Sequence, residues 1–176
     1  MVNEEIFKKN TIILIPPNGE IIPVPREKDE TNHSQVFLRA CKIIPGLLDN
    51  FIADPEKSGG YEFSCFLAAN NYVIFWPSNI NSEDIMIISM PKTPTKDQIL
   101  NIRKIFPYLK NSEEVYVSIC EFKKKNSYKI RRESLSSTGE YEDAFRVLSN
   151  YLEKVEMLND MLKEEKEEVD VSKFLN

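Results

Sequence analysis

Apolar residues near the start of the chain predict a β-hairpin followed by a helix. Residues 11–24 contain two runs rich in β-branched side chains, separated by an Asn-Gly pair at Asn18, which favours a tight turn between antiparallel strands. Further along, apolar residues from Val36 to Ile44 recur at the spacing of one helical face, and Pro45 ends the pattern. We therefore expect an antiparallel hairpin and then a first helix.

The middle of the chain predicts a second helix and two more strands. Residues 61–69 fit a helix and, nearly as well, a strand, and we adopt the helix. Two runs with the composition of buried strands follow at residues 72–76 and 85–90, and each is closed by a proline. The residues between these runs are typical of turns. The two strands are therefore expected to pair antiparallel.

A third helix and a second hairpin are predicted before the last part of the chain. Thr95 suits a helix N-cap, and the apolar residues that follow it lie on one helical face as far as Phe106. Residues 115–122 and 128–135 alternate between apolar and polar side chains, as strands of a hairpin do. The expected class is α+β, with small antiparallel sheet(s), helices packed on one side and a long C-terminal helix. We expect residues 1–168 to form a single domain and residues 169–176 a C-terminal tail.

Residues 139–168 predict one long amphipathic helix, because no proline and no further glycine follow Gly139. Its apolar positions repeat at spacings of 4, 3, 4, 3 and 4 residues and form a heptad seam: Ala144, Leu148, Tyr151, Val155, Leu158 and Leu162. Phe145, Leu152 and Met161 widen this stripe, which favours packing on a globular body over a strict two-stranded coil. A homo-oligomer formed through this helix remains the alternative.

The composition is that of an ordinary folded protein with one core. The chain has 176 residues, of which 41% are hydrophobic, enough for a single domain. Its three cysteines, Cys41, Cys65 and Cys120, are far apart and lie in apolar stretches, which is typical of reduced buried thiols. We found neither a signal-peptide pattern nor a run long enough to span a bilayer. The expected location is the cytoplasm, with no membrane partner.

Charge is distributed unevenly. Residues 140–176 hold eleven acids and five bases, a net charge of −6, whereas residues 101–135 hold nine bases and four acids, a net charge of +5. The candidate binding residues lie in this basic region: Lys123, Lys124, Lys125, Tyr128, Lys129, Arg131 and Arg132. They could contact the phosphates of RNA or DNA, with Tyr128 stacking on a base. Alternatively, the lysines protect an exposed hairpin edge from aggregation.

The sequence contains little that predicts catalysis. His33 is the only histidine, which excludes metal sites that need two or more histidines. Patterns typical of phosphate-binding loops, nucleophile elbows and zinc sites were not found. We therefore expect no cofactor, no metal and no catalytic residues. An enzyme with an unrecognised site is kept as a third hypothesis.

Four segments together span roughly residues 11–120: NGEIIPV, the helix entered at NHS, FLAANNYVIFW, and PKTPTKDQILNIRKIF leading into EEVYVSI. They resemble short uncharacterised proteins encoded by phages and other mobile elements. The resemblance implies a protein that acts by binding, often to a host or defence enzyme. The leading hypothesis is a cytosolic interaction protein that occupies a macromolecular surface, with inhibition of a host or defence nuclease as one form. The basic residues would be one contact surface and the acids of the last helix a second. Nucleic-acid binding through residues 123–132 is the alternative.

Overall fold

A computed structural model describes residues 11–51, 54–124, 127–135 and 140–175, with side chains for residues 11–51, 54–121 and 140–164. Two 3-10 helices, Leu47–Asn50 and Phe106–Asn111, accompany the main elements. In chain order these elements are β1 (Thr11–Ile15), β2 (Ile22–Pro25), α1 (His33–Ile43), α2 (Gly60–Ala69), β3 (Val73–Asn79), β4 (Ser82–Pro91), α3 (Lys96–Ile105), β5 (Glu114–Lys124), β6 (Ser127–Leu135) and α4 (Tyr141–Leu175).

The six strands form one sheet in the order β2-β1-β3-β4-β5-β6. The three predicted antiparallel pairs, β1 with β2, β3 with β4 and β5 with β6, are confirmed. Between β4 and β5 the pairing is parallel, because α3 carries the chain back across the sheet before β5 begins. This parallel pair joins the two halves of the sheet, so that β2 and β6 are its edges.

The α+β class and the long C-terminal helix are confirmed, but the prediction that the helices pack on one side is wrong. On one face of the sheet, Ile12 and Leu14 belong to the core formed with α1 and α2. On the other face, Ile13 and Ile15 belong to the core formed with α3 and α4. All five residues of β1 are buried, since successive strand residues point to opposite faces and both faces are covered.

The turn between β1 and β2 holds the N-terminal end of α3 in place. The Thr95 hydroxyl donates to the carbonyl oxygen of Pro17 at 2.8 Å. Gln98 is fully buried, and its side-chain amide donates to the carbonyl oxygens of Ile15 at 2.9 Å and Asn71 at 2.7 Å. Because Gln98 also accepts from the backbone of Thr95, one side chain ties the helix start to two strand ends. These hydrogen bonds fix the position of α3, which forms a core with α4.

The C-terminal helix packs on the body over its first four turns. Four of its apolar residues are buried in the α3 and α4 core: Ala144, Leu148, Leu152 and Val155. At its start, Tyr141 stacks on Phe106 with ring centroids 5.1 Å apart. The preference for packing on the body is thus confirmed for this part of the helix. The helix then continues to Leu175, beyond the predicted end at residue 168.

Candidate interaction surface

Beyond its buried residues, α4 forms ion pairs with α3. The Arg103 guanidinium donates to both carboxylate oxygens of Glu156, at 2.8 and 3.2 Å. One turn later, the Lys96 ammonium donates to Asp160 at 3.0 Å. Basic and acidic side chains are therefore adjacent here, and two of the acids proposed as a second contact surface already have basic partners. The exposed Glu153 and Glu164 retain that potential.

The two ion pairs also show how α4 leaves the body. Arg103 lies near the end of α3 and pairs with Glu156, whereas Lys96 is the first residue of α3 and pairs with Asp160. The two helices are thus antiparallel, and α4 passes the start of α3 as it continues. Residues of α4 after Asp160 extend beyond the first residue of α3. The covering that α3 provides ends at this point.

Four large apolar side chains are exposed where α4 leaves the body. The exposed fraction is 66% for Met157, 46% for Leu158, 59% for Met161 and 54% for Leu162. We call these four residues the Met/Leu patch. Residues four apart lie one above the other on a helix, so the side chains form one continuous surface. The predicted seam at Leu158 and Leu162 therefore exists, but the body does not cover it.

The basic candidate residues lie on the β5–β6 hairpin at the sheet edge. Lys125 is outside the described residues, and the side chains of the other six are outside the described side chains: Lys123, Lys124, Tyr128, Lys129, Arg131 and Arg132. The register places Arg131 opposite Glu121 and Arg132 opposite Cys120, which belongs to the α1 and α2 face. Neighbouring positions on a strand alternate between faces. The strand positions of Arg131 and Arg132 are thus on opposite faces of the sheet.

His33 has a structural environment at the start of α1. Its ring makes a T-shaped contact with Trp76, with centroids 5.3 Å apart. Its Nε2–H donates to the carbonyl oxygen of Ser78 at 3.2 Å, and its buried Nδ1 has no hydrogen-bond partner among the described residues. Burial lowers the pKa of the imidazole, although the bond to Ser78 opposes this effect. These contacts join α1 to the end of β3.

The cysteines are placed in the core and not at the surface. Cys41, Cys65 and Cys120 are buried, and none of them is part of a disulfide. Burial raises the pKa of the Cys41 thiol to about 12, so this thiol stays protonated at neutral pH. Within the described residues, no group of three or more histidine, cysteine, aspartate or glutamate side chains is arranged to hold a metal ion. No helix in that part of the chain is both long and apolar enough to span a membrane.

A cavity of about 760 Å³ lies between the β3–β4 turn and the 3-10 helix that follows α3. Its lining includes the adjacent acids Glu83 and Asp84, together with Lys110 and the apolar Met86. Both acids belong to β4. Neither a histidine nor a cysteine is among its described lining residues.

No protein family, curated protein or solved structure matches the chain. A helix packed on a protein body normally buries its large apolar side chains. Of the described side chains, the four in the Met/Leu patch depart most clearly from this arrangement.

A partly buried ion pair that the sequence did not predict holds the loop before α1. The Arg39 guanidinium donates to Glu30 at 2.7 Å and to the carbonyl oxygen of Pro25 at 2.6 Å. Burial acts to raise the pKa of the Glu30 carboxyl, but hydrogen bonds from Arg39 and the Glu27 backbone outweigh it and lower that pKa. The two charges are nine residues apart, on a loop and a helix. Only the fold shows that they meet.

Proposed function

We propose that this protein is a non-catalytic interaction protein that binds another protein chain through the Met/Leu patch of α4. The observation that supports the proposal is the joint exposure of Met157, Leu158, Met161 and Leu162 on one helical surface. Apolar patches of this kind mark protein interaction sites, since water contact with them is unfavourable. A helix whose apolar face projects from the body suits a groove or another helix.

The choice of side chains adds to this argument. Two of the four residues are methionines, whose flexible and polarisable side chains adapt to partners of different shape. The patch also continues the apolar seam that the body covers as far as Val155. A partner that covers the patch would therefore extend an existing core at its end. Binding of a partner would cost little conformational entropy, because the helix is already formed on the body.

A photo-reactive amino acid can test this proposal at two positions in the full chain. Position 161 lies in the patch, and position 100 on α3 is a matched control, because Leu100 is also exposed, to 53%, but lies outside the patch. We expect cross-links to a protein chain from position 161 and few or none from position 100. Absence of any protein cross-link from position 161, in cells that express the chain, would contradict the proposal.

A more specific form of the proposal is that a phage or other mobile element encodes the protein and that it inhibits a host or defence nuclease in the cytoplasm. The resemblance of residues 11–120 to mobile-element proteins supports it. Buried cysteines without a disulfide fit a reducing compartment. The test is a nuclease assay with the chain and with a Met161→Glu variant. Inhibition by the chain but not by the variant is expected, and equal inhibition would contradict a role for the patch.

Nucleic-acid binding is the second candidate function. The observation in its favour is the place of β6 at the sheet edge, with the basic residues 123–132 on its hairpin. An edge position leaves one side of the strand open to a partner. The strand positions of Arg131 and Arg132, on opposite faces, make it unfavourable for both to contact one duplex. Binding that weakens as salt rises would support this function.

A further inference from the structure

We infer that the partner of the Met/Leu patch is a second copy of this chain, bound with its α4 antiparallel to the first. The inference rests on the proposed function, because it names the occupant of the same surface. Its basis is a charge at each end of the patch: Lys154 precedes it and Glu164 follows it. Both side chains are exposed. They are ten residues apart, or about 15 Å along the helix.

Among the described side chains, neither of these charges takes part in an ion pair. Within the described residues, the ion pairs of α4 take Glu156, Asp160, Asp143 and Arg146, and none takes Lys154 or Glu164. The two charges have opposite signs. They lie on the same side of the helix as the two methionines, because Lys154, Met157, Met161 and Glu164 follow one another at spacings of 3, 4 and 3 residues.

An antiparallel arrangement matches these charges, and a parallel one does not. If a two-fold axis passes level with Asn159, each Met157 lies beside Met161 of the second copy. Each Lys154 then lies beside Glu164 of the second copy, and symmetry forms this pair twice. In parallel alignment, lysine would lie beside lysine and glutamate beside glutamate, which is repulsive. The charges therefore select the antiparallel orientation.

The size of the patch indicates how tightly the two copies should bind. Four partly exposed side chains offer less than the roughly 800 Å² per partner of a standard stable interface. We therefore expect a weak, concentration-dependent dimer with a Kd on the order of tens of micromolar. Analytical ultracentrifugation of the full chain from about 1 μM to about 1 mM should show the mass rising from monomer to dimer. A monomer throughout that range would overturn the inference.

Charge exchange tests the orientation. Lys154→Glu alone, or Glu164→Lys alone, replaces two attractive pairs with two repulsive ones and should weaken the dimer about tenfold. The double variant Lys154→Glu with Glu164→Lys should restore it, because the pairs re-form with the charges exchanged. Lys163→Glu is the matched control. Lys163 lies next to Glu164 in sequence, but the rotation between consecutive helix residues places it on the side of the helix away from the patch. Its dimer should be as strong as that of the wild type.

Four outcomes test the inference and the proposed function. A dimer that Met161→Glu does not weaken would overturn the inference, as would failure of the double variant to restore binding. Cross-links from position 161 that reach only a different protein would overturn the inference and leave the proposed function standing. No protein cross-links and no dimer would overturn both. Thermal unfolding by circular dichroism should be similar for all variants at monomeric concentration, since the changed side chains are exposed.

Discussion

The Arg103 guanidinium of α3 holds the Glu156 carboxylate of α4 through two hydrogen bonds, of 2.8 and 3.2 Å. Among the described side chains, Val155 is the last buried residue of α4, and this pair orients the helix just beyond it. Both side chains are more than one-third exposed, which limits the stability that the pair contributes. Its effect should be larger on local opening of α4 than on global unfolding.

Arg103→Ala should lower the free energy of unfolding by about 0.2–1 kcal/mol and increase hydrogen exchange in residues 156–164. The reason is that removal of the guanidinium releases α4 at the point where it leaves the body. Urea unfolding and amide hydrogen exchange provide the two measurements. Lys104→Ala is the control, because Lys104 is an exposed neighbour on the same helix. Equal exchange in both variants would contradict a role for the Arg103–Glu156 pair.

Two adjacent glycines at the start of α2 should respond differently to the same substitution. A Cβ at Gly60 would collide with Cβ of His33, whereas a Cβ at Gly59 would meet nothing within 4 Å. Gly60→Ala should therefore lower the free energy of unfolding by about 1–3 kcal/mol, because neither backbone can easily move. For Gly59→Ala, a stiffer unfolded chain and a poorer N-cap offset each other, and the change should stay within about 0.5 kcal/mol.

Chemical denaturation of the two glycine variants gives the comparison directly. Both substitutions add one methyl group at neighbouring positions, so their difference isolates the contact with His33. If Gly60→Ala proved as stable as Gly59→Ala, the close approach of α1 and α2 at this point would be wrong.

Local structure was predictable because its signals are local. The Asn32 and Thr95 side chains cap α1 and α3, and each forms a capping box with the glutamine three residues later. The hairpins follow from alternation and from turn residues. These features depend on neighbours in sequence, and the chain carries enough information to specify them.

The arrangement of the elements depends on distant residues and was harder to predict. No local signal distinguishes the parallel pairing of β4 with β5 from an antiparallel one. The burial of all five residues of β1 was readable as a continuous apolar run, and it should have indicated helices on both faces. The residue at which the body stops covering α4 could not be predicted from the apolar pattern. Leu158 and Leu162 continue the seam, and only the position of Lys96 at the start of α3 shows where the body stops.

The β5–β6 hairpin should bind nucleic acid only weakly if its lysines protect the sheet edge. Under the alternative, Lys129→Glu with Arg131→Glu should reduce affinity and reduce the slope of log K against log salt by about 2, because two phosphate contacts are lost. Fluorescence anisotropy with labelled single- and double-stranded DNA and RNA across salt measures both quantities. Arg132→Glu is the control, since its strand position lies on the opposite face.

The absence of salt-dependent binding in the wild-type chain would remove the nucleic-acid function. Equal losses from the variants on both faces would instead indicate a general charge effect, because one duplex cannot contact both faces of a sheet. A loss confined to one face would identify that face as the contact surface.

Stability should depend on pH through His33. Burial lowers the pKa of its imidazole below the ordinary value of 6.5, and protonation would place a second N–H, at Nδ1, where the buried nitrogen has no acceptor. As pH falls below 6.5, the unfolded chain binds a proton before the folded chain does. The free energy of unfolding should therefore be greatest above pH 6.5 and should fall as pH decreases, by at most about 1.4 kcal/mol per pH unit for one proton.

Urea unfolding at intervals between about pH 7.5 and pH 5.5 measures this dependence, above the range in which most carboxylates titrate. His33→Gln provides the comparison, because glutamine keeps a side-chain N–H donor for the Ser78 carbonyl oxygen but does not titrate. The variant should show a nearly flat profile over this range. A wild-type profile as flat as that of the variant would mean that His33 titrates alike in the folded and unfolded chains, and its closed environment against Trp76 would then be wrong.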